Sequence, residues 1–124
     1  MDNFLSADST YDALRDVEID SIAYLTCALG IDYPAWYGPS DAEALTLYTH
    51  FGTGKLNTNL SLDIQQRLGW ADKRTLTISS VNTKSDGLYE CSAPHTAAHR
   101  IRLVVWGKLH YAGFFQLCVS FSET

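Results

Sequence analysis

The sequence predicts an all-β domain, and three observations carry this prediction. The 124 residues make about one domain, and residues that favour strands, such as Val, Ile, Thr, Tyr and Phe, are frequent. Within residues 74–91, apolar Leu76 and Ile78 alternate with polar neighbours, which is the period of a half-buried strand. A polar corner at residues 82–86 follows, and a second strand is predicted to open at Leu88.

The remaining elements are predicted from alternation and from turn residues. Residues 11–18 fit either a short helix or an edge strand. Residues 22–29 alternate, and the side expected to face inward consists of Ala23, Leu25, Cys27 and Leu29. Further strands are predicted around Trp36 and Tyr37 and over residues 44–51, 60–68 and 99–106.

The chain is expected to divide into a lead-in at residues 1–10, a domain at 11–106 and an apolar tail at 107–124. The tail is too short to span a bilayer, which takes about 20 residues. An extra strand, an interface segment and read-through from a truncated gene model remain open for it. It contains Cys118, to which the sequence assigns no role.

A spaced set of residues resembles the core signature of the immunoglobulin superfamily. Trp36 lies nine residues after Cys27, and Tyr89 lies two residues before Cys91. An apolar run at 15, 13 and 10 residues before Cys91 consists of Leu76, Ile78 and Val81. The resemblance covers residues 17–106.

This resemblance implies an immunoglobulin-like β-sandwich of two antiparallel sheets with Greek-key topology. The separation of 55 residues from Trp36 to Cys91 leaves room for extra strands, which favours the variable (V) type, with the intermediate set as second choice. A disulfide between Cys27 and Cys91 is implied, with two buried free thiols as the alternative. The implied core residues are Trp36, Leu76, Ile78 and Tyr89.

Two positions depart from the family pattern. Related domains often carry Asp six residues before the second Cys, paired with an Arg, but here that position is Ser85. A shifted pair between Arg67 and Asp86 is expected instead. The string at residues 51–54 matches a joining-segment motif of antigen receptors but lies before Cys91, so we interpret it as a strand-ending turn.

Several function classes are disfavoured. The net charge of −5 argues against nucleic acid as a partner. We find no catalytic motif and expect no enzyme activity and no cofactor. His95 and His99 have no evident third ligand nearby and are expected to be solvated rather than to bind a metal. Asn59 begins an Asn-Leu-Ser sequon and is a candidate glycosylation site.

By resemblance, the chain is expected to be an extracellular or cell-surface recognition module whose signal peptide and anchor are not in this sequence. Its expected partners are a protein or glycan ligand, including a second copy in a homodimer, with no direct membrane insertion. The alternative is a structural repeat of an intracellular scaffold or muscle-type protein. The loop at residues 95–99 is a second candidate surface. The candidate binding face, on the G-F-C-C′ sheet, comprises Tyr37, Leu88, Glu90, Arg100 and Arg102.

Overall fold

The computed structural model describes residues 10–40, 45–111 and 115–120. Apart from Thr10, the predicted lead-in lies outside these residues. The described strands are β1 (Ala13–Glu18), β2 (Ala23–Thr26), β3 (Ala35–Gly38), β4 (Thr46–Thr49), β5 (Leu68–Asp72), β6 (Thr75–Ile78), β7 (Gly87–Ser92), β8 (His99–Tyr111) and β9 (Phe115–Ser120). The described residues also contain one α-helix, α1 (Leu62–Arg67).

The strands form two packed sheets, which confirms the predicted all-β sandwich. The larger sheet has the order β1-β8-β7-β3-β4, with β9 paired to β8, and the smaller has the order β2-β6-β5. β1 runs parallel to β8, with Ala13 opposite Ile101 and Glu18 opposite Trp106. The described pairs within both sheets are otherwise antiparallel. Of the two alternatives for residues 11–18, the edge strand is therefore correct.

The core lies between the sheets and follows the predicted alternation. Ala23, Leu25 and Cys27 are buried, whereas the intervening Tyr24 and Thr26 are exposed. On the facing sheet the inward side of β8 is likewise buried. Each large side chain buried there contributes about 1.5–3 kcal/mol through its transfer from water. The innermost side chains of this core include Trp36, Leu76, Tyr89, Ile101, Leu103 and Val105.

A disulfide joins the two sheets across this core. Cys27 follows β2 and Cys91 lies on β7, and their sulfur atoms are bonded at 2.03 Å. Trp36, fully buried on β3, lies opposite Cys91 in the strand register. The structure thus pairs the two cysteines that the resemblance implied.

The predicted strand over residues 60–68 is wrong, because most of it forms α1. The Ser61 side chain accepts a hydrogen bond from the Ile64 amide and so caps the first turn of the helix. Asp63 in the first turn forms an ion pair with Arg67 in the last turn, at 2.9 Å. This spacing of four residues stabilises a helix rather than a strand. The strand that follows, β5, begins only at Leu68.

The predicted last strand extends beyond its expected end, and part of the tail is also a strand. β8 continues to Tyr111, and β9 pairs with its second half, from Trp106 opposite Ser120 to Tyr111 opposite Phe115. Of the three alternatives left open for the tail, the extra strand is what the structure describes over Phe115–Ser120.

One of the two extra strands of a variable-type domain is present. β4 takes the place of strand C′ beside β3. Between β4 and α1, all of it within the described range 45–111, the only strand-like pairing is an isolated bridge between Thr49 and Leu56. The described strands number nine only because β9 is added to β8; none of them lies beyond β4 in the place of strand C″, and the variable subtype stays a prediction.

Candidate functional site

The outward side of the larger sheet brings the five predicted binding residues together, and we call it the outer face. Leu88 lies opposite Arg102, and Glu90 lies opposite both Arg100 and Tyr37 in the strand register. Residues opposite each other share one side of a sheet, so these five form a continuous surface. All five side chains are partly exposed. Their role in binding stays a prediction.

The edge strand β1 adds to the outer face residues that sequence reasoning missed. Leu14 lies opposite Arg102 and is 51% exposed. Asp12, just before β1, accepts a hydrogen bond from the Arg100 amide at 2.9 Å. The alternation within residues 11–18 could not show which strand they pair with. A parallel ladder between two segments almost 90 residues apart has no signature in the local sequence.

The two arginines of the outer face are each held by a carboxylate. Arg100 Nε lies 2.9 Å from Glu90 Oε2, with about two fifths of the Arg100 side chain exposed. Arg102 Nη2 lies 2.9 Å from Asp86 Oδ1, where the side chains are only 19% and 7% exposed. Each guanidinium is therefore held in one orientation by an ion pair.

The expected pair between Arg67 and Asp86 is not formed. Arg67 binds Asp63 instead and donates to the carbonyl oxygens of Ser79 and Ser80. Asp86 binds Arg102, and its Oδ2 atom also accepts a hydrogen bond from the Val105 amide at 2.7 Å. The reason lies in the corner at residues 82–86, where the carboxylate stands one position later than in the family pattern.

The corner itself is intact without that salt bridge. Tyr89 donates its hydroxyl hydrogen bond to the Ser85 carbonyl at 2.6 Å, four residues upstream. Ser85 is buried, and its hydroxyl accepts from the Asn82 amide at 3.1 Å in a capping box around the 3₁₀ helix Thr83–Ser85. Serine at this position thus replaces an ion pair with local hydrogen bonds.

A cavity of about 370 Å³ lies between this corner, α1 and the end of β3. Tyr48, Tyr89 and Ile78 are among the residues that line it, together with Arg67 and Lys84. Burial raises the pKa of the Tyr48 hydroxyl and that of the Tyr89 hydroxyl well above the ordinary value. Sequence reasoning missed this cavity.

The two histidines of the second candidate surface, His95 and His99, lie in different environments. His95 lies exposed in the turn after β7, whereas His99 is half-buried with its Nδ1 atom 3.8 Å from Asp12 Oδ2. The turn is closed by Thr96, which donates to the Ala93 carbonyl. Within residues 10–40, 45–111 and 115–120 no group of three or more His, Cys, Asp or Glu side chains could hold a metal ion.

No family model matches the sequence, and no curated protein matches it significantly. Among the solved structures that match is the crystal structure of the CD2-binding domain of CD58 (lymphocyte function-associated antigen 3), with a TM-score of 0.57 and 9% sequence identity. The chain has an immunoglobulin-like fold. The match covers 87% of this chain and 66% of the CD58 chain, so this chain spans just under two thirds of that structure. At this identity the likeness establishes the fold alone.

The fold assigns family strand letters to the described elements. In the two-sheet arrangement, the three strands of the smaller sheet, β2, β6 and β5, take the places of B, E and D. In the larger sheet, β3, β4, β7 and β8 take the places of C, C′, F and G. The outer face is therefore the G-F-C-C′ face that the sequence pointed to.

Proposed function

We propose that this chain is a non-catalytic, extracellular recognition module that binds a protein partner through its outer face. The observation that carries the proposal is the pair of pre-ordered arginines on neighbouring positions of β8, flanked by Tyr37, Leu88 and Leu14. Arginine and aromatic side chains are enriched among the residues that dominate protein interfaces. The proposed face thus combines fixed charge with accessible apolar surface.

The fold comparison supports a protein partner rather than a substrate. The CD58 structure is described as the domain that binds CD2, another protein. Transfer of that kind of role to this chain is part of the proposal, because a fold hosts many functions.

The disulfide supports an extracellular location, since such bonds persist in oxidising compartments. In the part of the chain that the structure describes, no helix is long and apolar enough to cross a membrane.

The test is a binding screen with matched variants. The chain, displayed as a tetramer, is screened against a library of cell-surface ectodomains and a glycan array, and hits are measured by surface plasmon resonance. Tyr37→Ser and Arg100→Glu alter the outer face, whereas the controls Tyr24→Ser and Arg74→Glu alter exposed residues on β2 and in the turn between β5 and β6. We expect the first two to weaken binding about tenfold or more, equivalent to about 1.4 kcal/mol, and the controls to leave it unchanged.

Equal losses in both sets of variants would remove the outer face as the site. A response on the glycan array alone would replace the protein partner with a carbohydrate. Self-association is tested separately by sedimentation velocity, and a dimer that Arg100→Glu dissociates identifies the partner as a second copy.

The alternative, a structural repeat of an intracellular scaffold, makes an opposite prediction for the cysteines. Non-reducing mass spectrometry of the protein from its native source distinguishes the two. Loss of two hydrogens supports the extracellular role, whereas free thiols at Cys27 and Cys91 support the scaffold.

A further inference from the structure

The sequon at residues 59–61 lies in a turn whose middle residue is anchored in the core. Leu60 is buried with 7% of its surface exposed, whereas Asn59 and Ser61 on either side are exposed. The backbone amide of Asn59 donates to Asn57 Oδ1 at 3.0 Å, which fixes the turn without using the Asn59 side chain. Asn59 is exposed, so its side-chain amide, to which a glycan would be attached, is directed away from the packed interior.

The turn follows the outer edge of β4. Asn57 donates its backbone amide to the Tyr48 carbonyl at 2.9 Å and its side-chain amide to the Leu47 carbonyl at 3.0 Å. β4 ends the strand order β1-β8-β7-β3-β4, so Asn59 stands at the opposite side of this sheet from β1. A bulky group on Asn59 would cover the region of β4 and α1, three strands away from Arg102 on β8 and four strands away from Leu14 on β1.

We propose that Asn59 carries an N-linked glycan, and that this glycan shields the β4 edge while it leaves the half of the outer face formed by β1 and β8 open. The inference rests on the proposed extracellular role, because the modification occurs on secreted chains. The segment that contains Asn57 already bonds part of the β4 edge, and a glycan would extend this protection of an edge strand against pairing with other chains. The glycan leaves the side of the face that contains both arginines accessible to a partner.

Ser61 has two functions in this arrangement, and they can be separated. Its hydroxyl belongs to the sequon, and it also caps α1 by accepting from the Ile64 amide at 3.3 Å. Ser61→Ala would remove both functions at once. Ser61→Asp preserves a capping carboxylate but destroys the sequon, whereas Ser61→Thr preserves both.

The occupancy test expresses the full chain behind a secretion signal in mammalian cells and follows the mobility shift on treatment with an N-glycosidase. We expect one glycan on the wild type and on Ser61→Thr, and none on Asn59→Gln and Ser61→Asp, with similar circular dichroism for all four. A secreted, disulfide-bonded wild type with bare Asn59 would overturn the glycan and leave the proposed function in place. A wild type that is retained with reduced cysteines would overturn both.

The position of the glycan is tested by hydroxyl-radical footprinting of the wild type against Asn59→Gln. Leu62 in α1 and Leu14 on β1 are matched exposed leucines, one near the sequon and one across the sheet. We expect oxidation of Leu62 to rise about twofold when this bulky modification is removed, with Leu14 unchanged. A comparable rise at Leu14 would show that the glycan covers the β1 side as well and would overturn the shielding proposal.

Discussion

Asp86 and Arg102 form an ion pair on the outer face, with Asp86 Oδ1 2.9 Å from Arg102 Nη2 and both side chains largely buried. Asp86 has extended backbone, whereas Ser85 ends the 3₁₀ helix Thr83–Ser85 and is buried. A carboxylate at position 85 would therefore lie in the buried corner. At position 86 it reaches Arg102 on β8 instead, and so it links the corner to the candidate binding face.

Removal of this carboxylate should destabilise the domain. Asp86→Ala leaves the Arg102 guanidinium unpaired and deprives the Val105 amide of its acceptor. We expect a loss of about 2–4 kcal/mol in the free energy of unfolding, measured by urea denaturation, since unpaired buried charges are costly. Asp63→Ala, which breaks the exposed pair with Arg67, is the control and should cost below about 1 kcal/mol.

A double-mutant cycle then locates the partner of Asp86. The coupling energy between Asp86→Ala and Arg102→Ala should be about 1 kcal/mol or more, and that between Asp86→Ala and Arg67→Ala should be near zero. A larger coupling energy of Asp86 with Arg67 than with Arg102 would contradict this assignment and support the pair between Arg67 and Asp86.

The buried tyrosines predict a loss of stability at high pH. Burial raises the pKa of the Tyr48 and Tyr89 hydroxyls, so the folded state holds these protons more tightly than the unfolded chain does. Their contribution to the free energy of unfolding is fully present below about pH 10, which is the pKa of tyrosine in the unfolded chain. It is lost as the pH rises above that value, by up to about 1.4 kcal/mol per pH unit for each tyrosine. Urea unfolding between pH 8 and 11.5 measures this, and Tyr48→Phe should reduce the slope. An identical slope in the variant would contradict the assignment.

The disulfide closes a loop with a sequence separation of 64 residues, and its removal should be costly. Replacement of both Cys27 and Cys91 by Ala should lower the free energy of unfolding by about 2–4 kcal/mol, mainly because the unfolded chain regains loop entropy. Thermal denaturation of the double variant, beside the wild type with and without reductant, measures the effect. If the reduced wild type is as stable as the oxidised one, the bridge does not stabilise the domain.

Two glycines in the turn after β4 should respond differently to alanine. Gly52 and Gly54 both have positive φ, at 85° and 73°, but a Cβ on Gly54 would lie 2.6 Å from Tyr33 Cδ1 whereas one on Gly52 meets nothing within 4 Å. Gly52→Ala should cost about 1 kcal/mol from backbone strain, and Gly54→Ala should cost about 1–3 kcal/mol more. Equal losses in chemical denaturation would mean that the Tyr33 ring moves aside without penalty.

The core of the fold could be predicted because its signals are local or have fixed spacing. Alternation identified the buried sides of β2 and β8, and the spacing of Cys27, Trp36, Tyr89 and Cys91 identified the sandwich. The prediction of a strand over residues 60–68 was wrong, because the weak alternation of Leu60, Leu62 and Ile64 was given more weight than the helix-capping residue. There, the cap at Ser61 and the pair of Asp63 with Arg67 outweighed strand propensity.

The candidate site was predictable only in part. The outward positions of Tyr37, Leu88, Glu90, Arg100 and Arg102 follow from alternation once the inward residues are known. The carboxylate that pairs with Arg102 does not follow from it in the same way, because Asp86 lies diagonally across the ladder from Arg102. Asp12 accepts from the Arg100 backbone amide only because β1 pairs with a strand from the other end of the domain.

The parallel ladder between β1 and β8 also sets how the sandwich bears mechanical load. Both strands run in the same direction over six paired residues, from Ala13 opposite Ile101 to Glu18 opposite Trp106. Tension that pulls the start of β1 away from the end of the paired part of β8 acts along the strands, so the hydrogen bonds of the ladder resist together in shear. An antiparallel hairpin pulled at its open end would lose them one at a time.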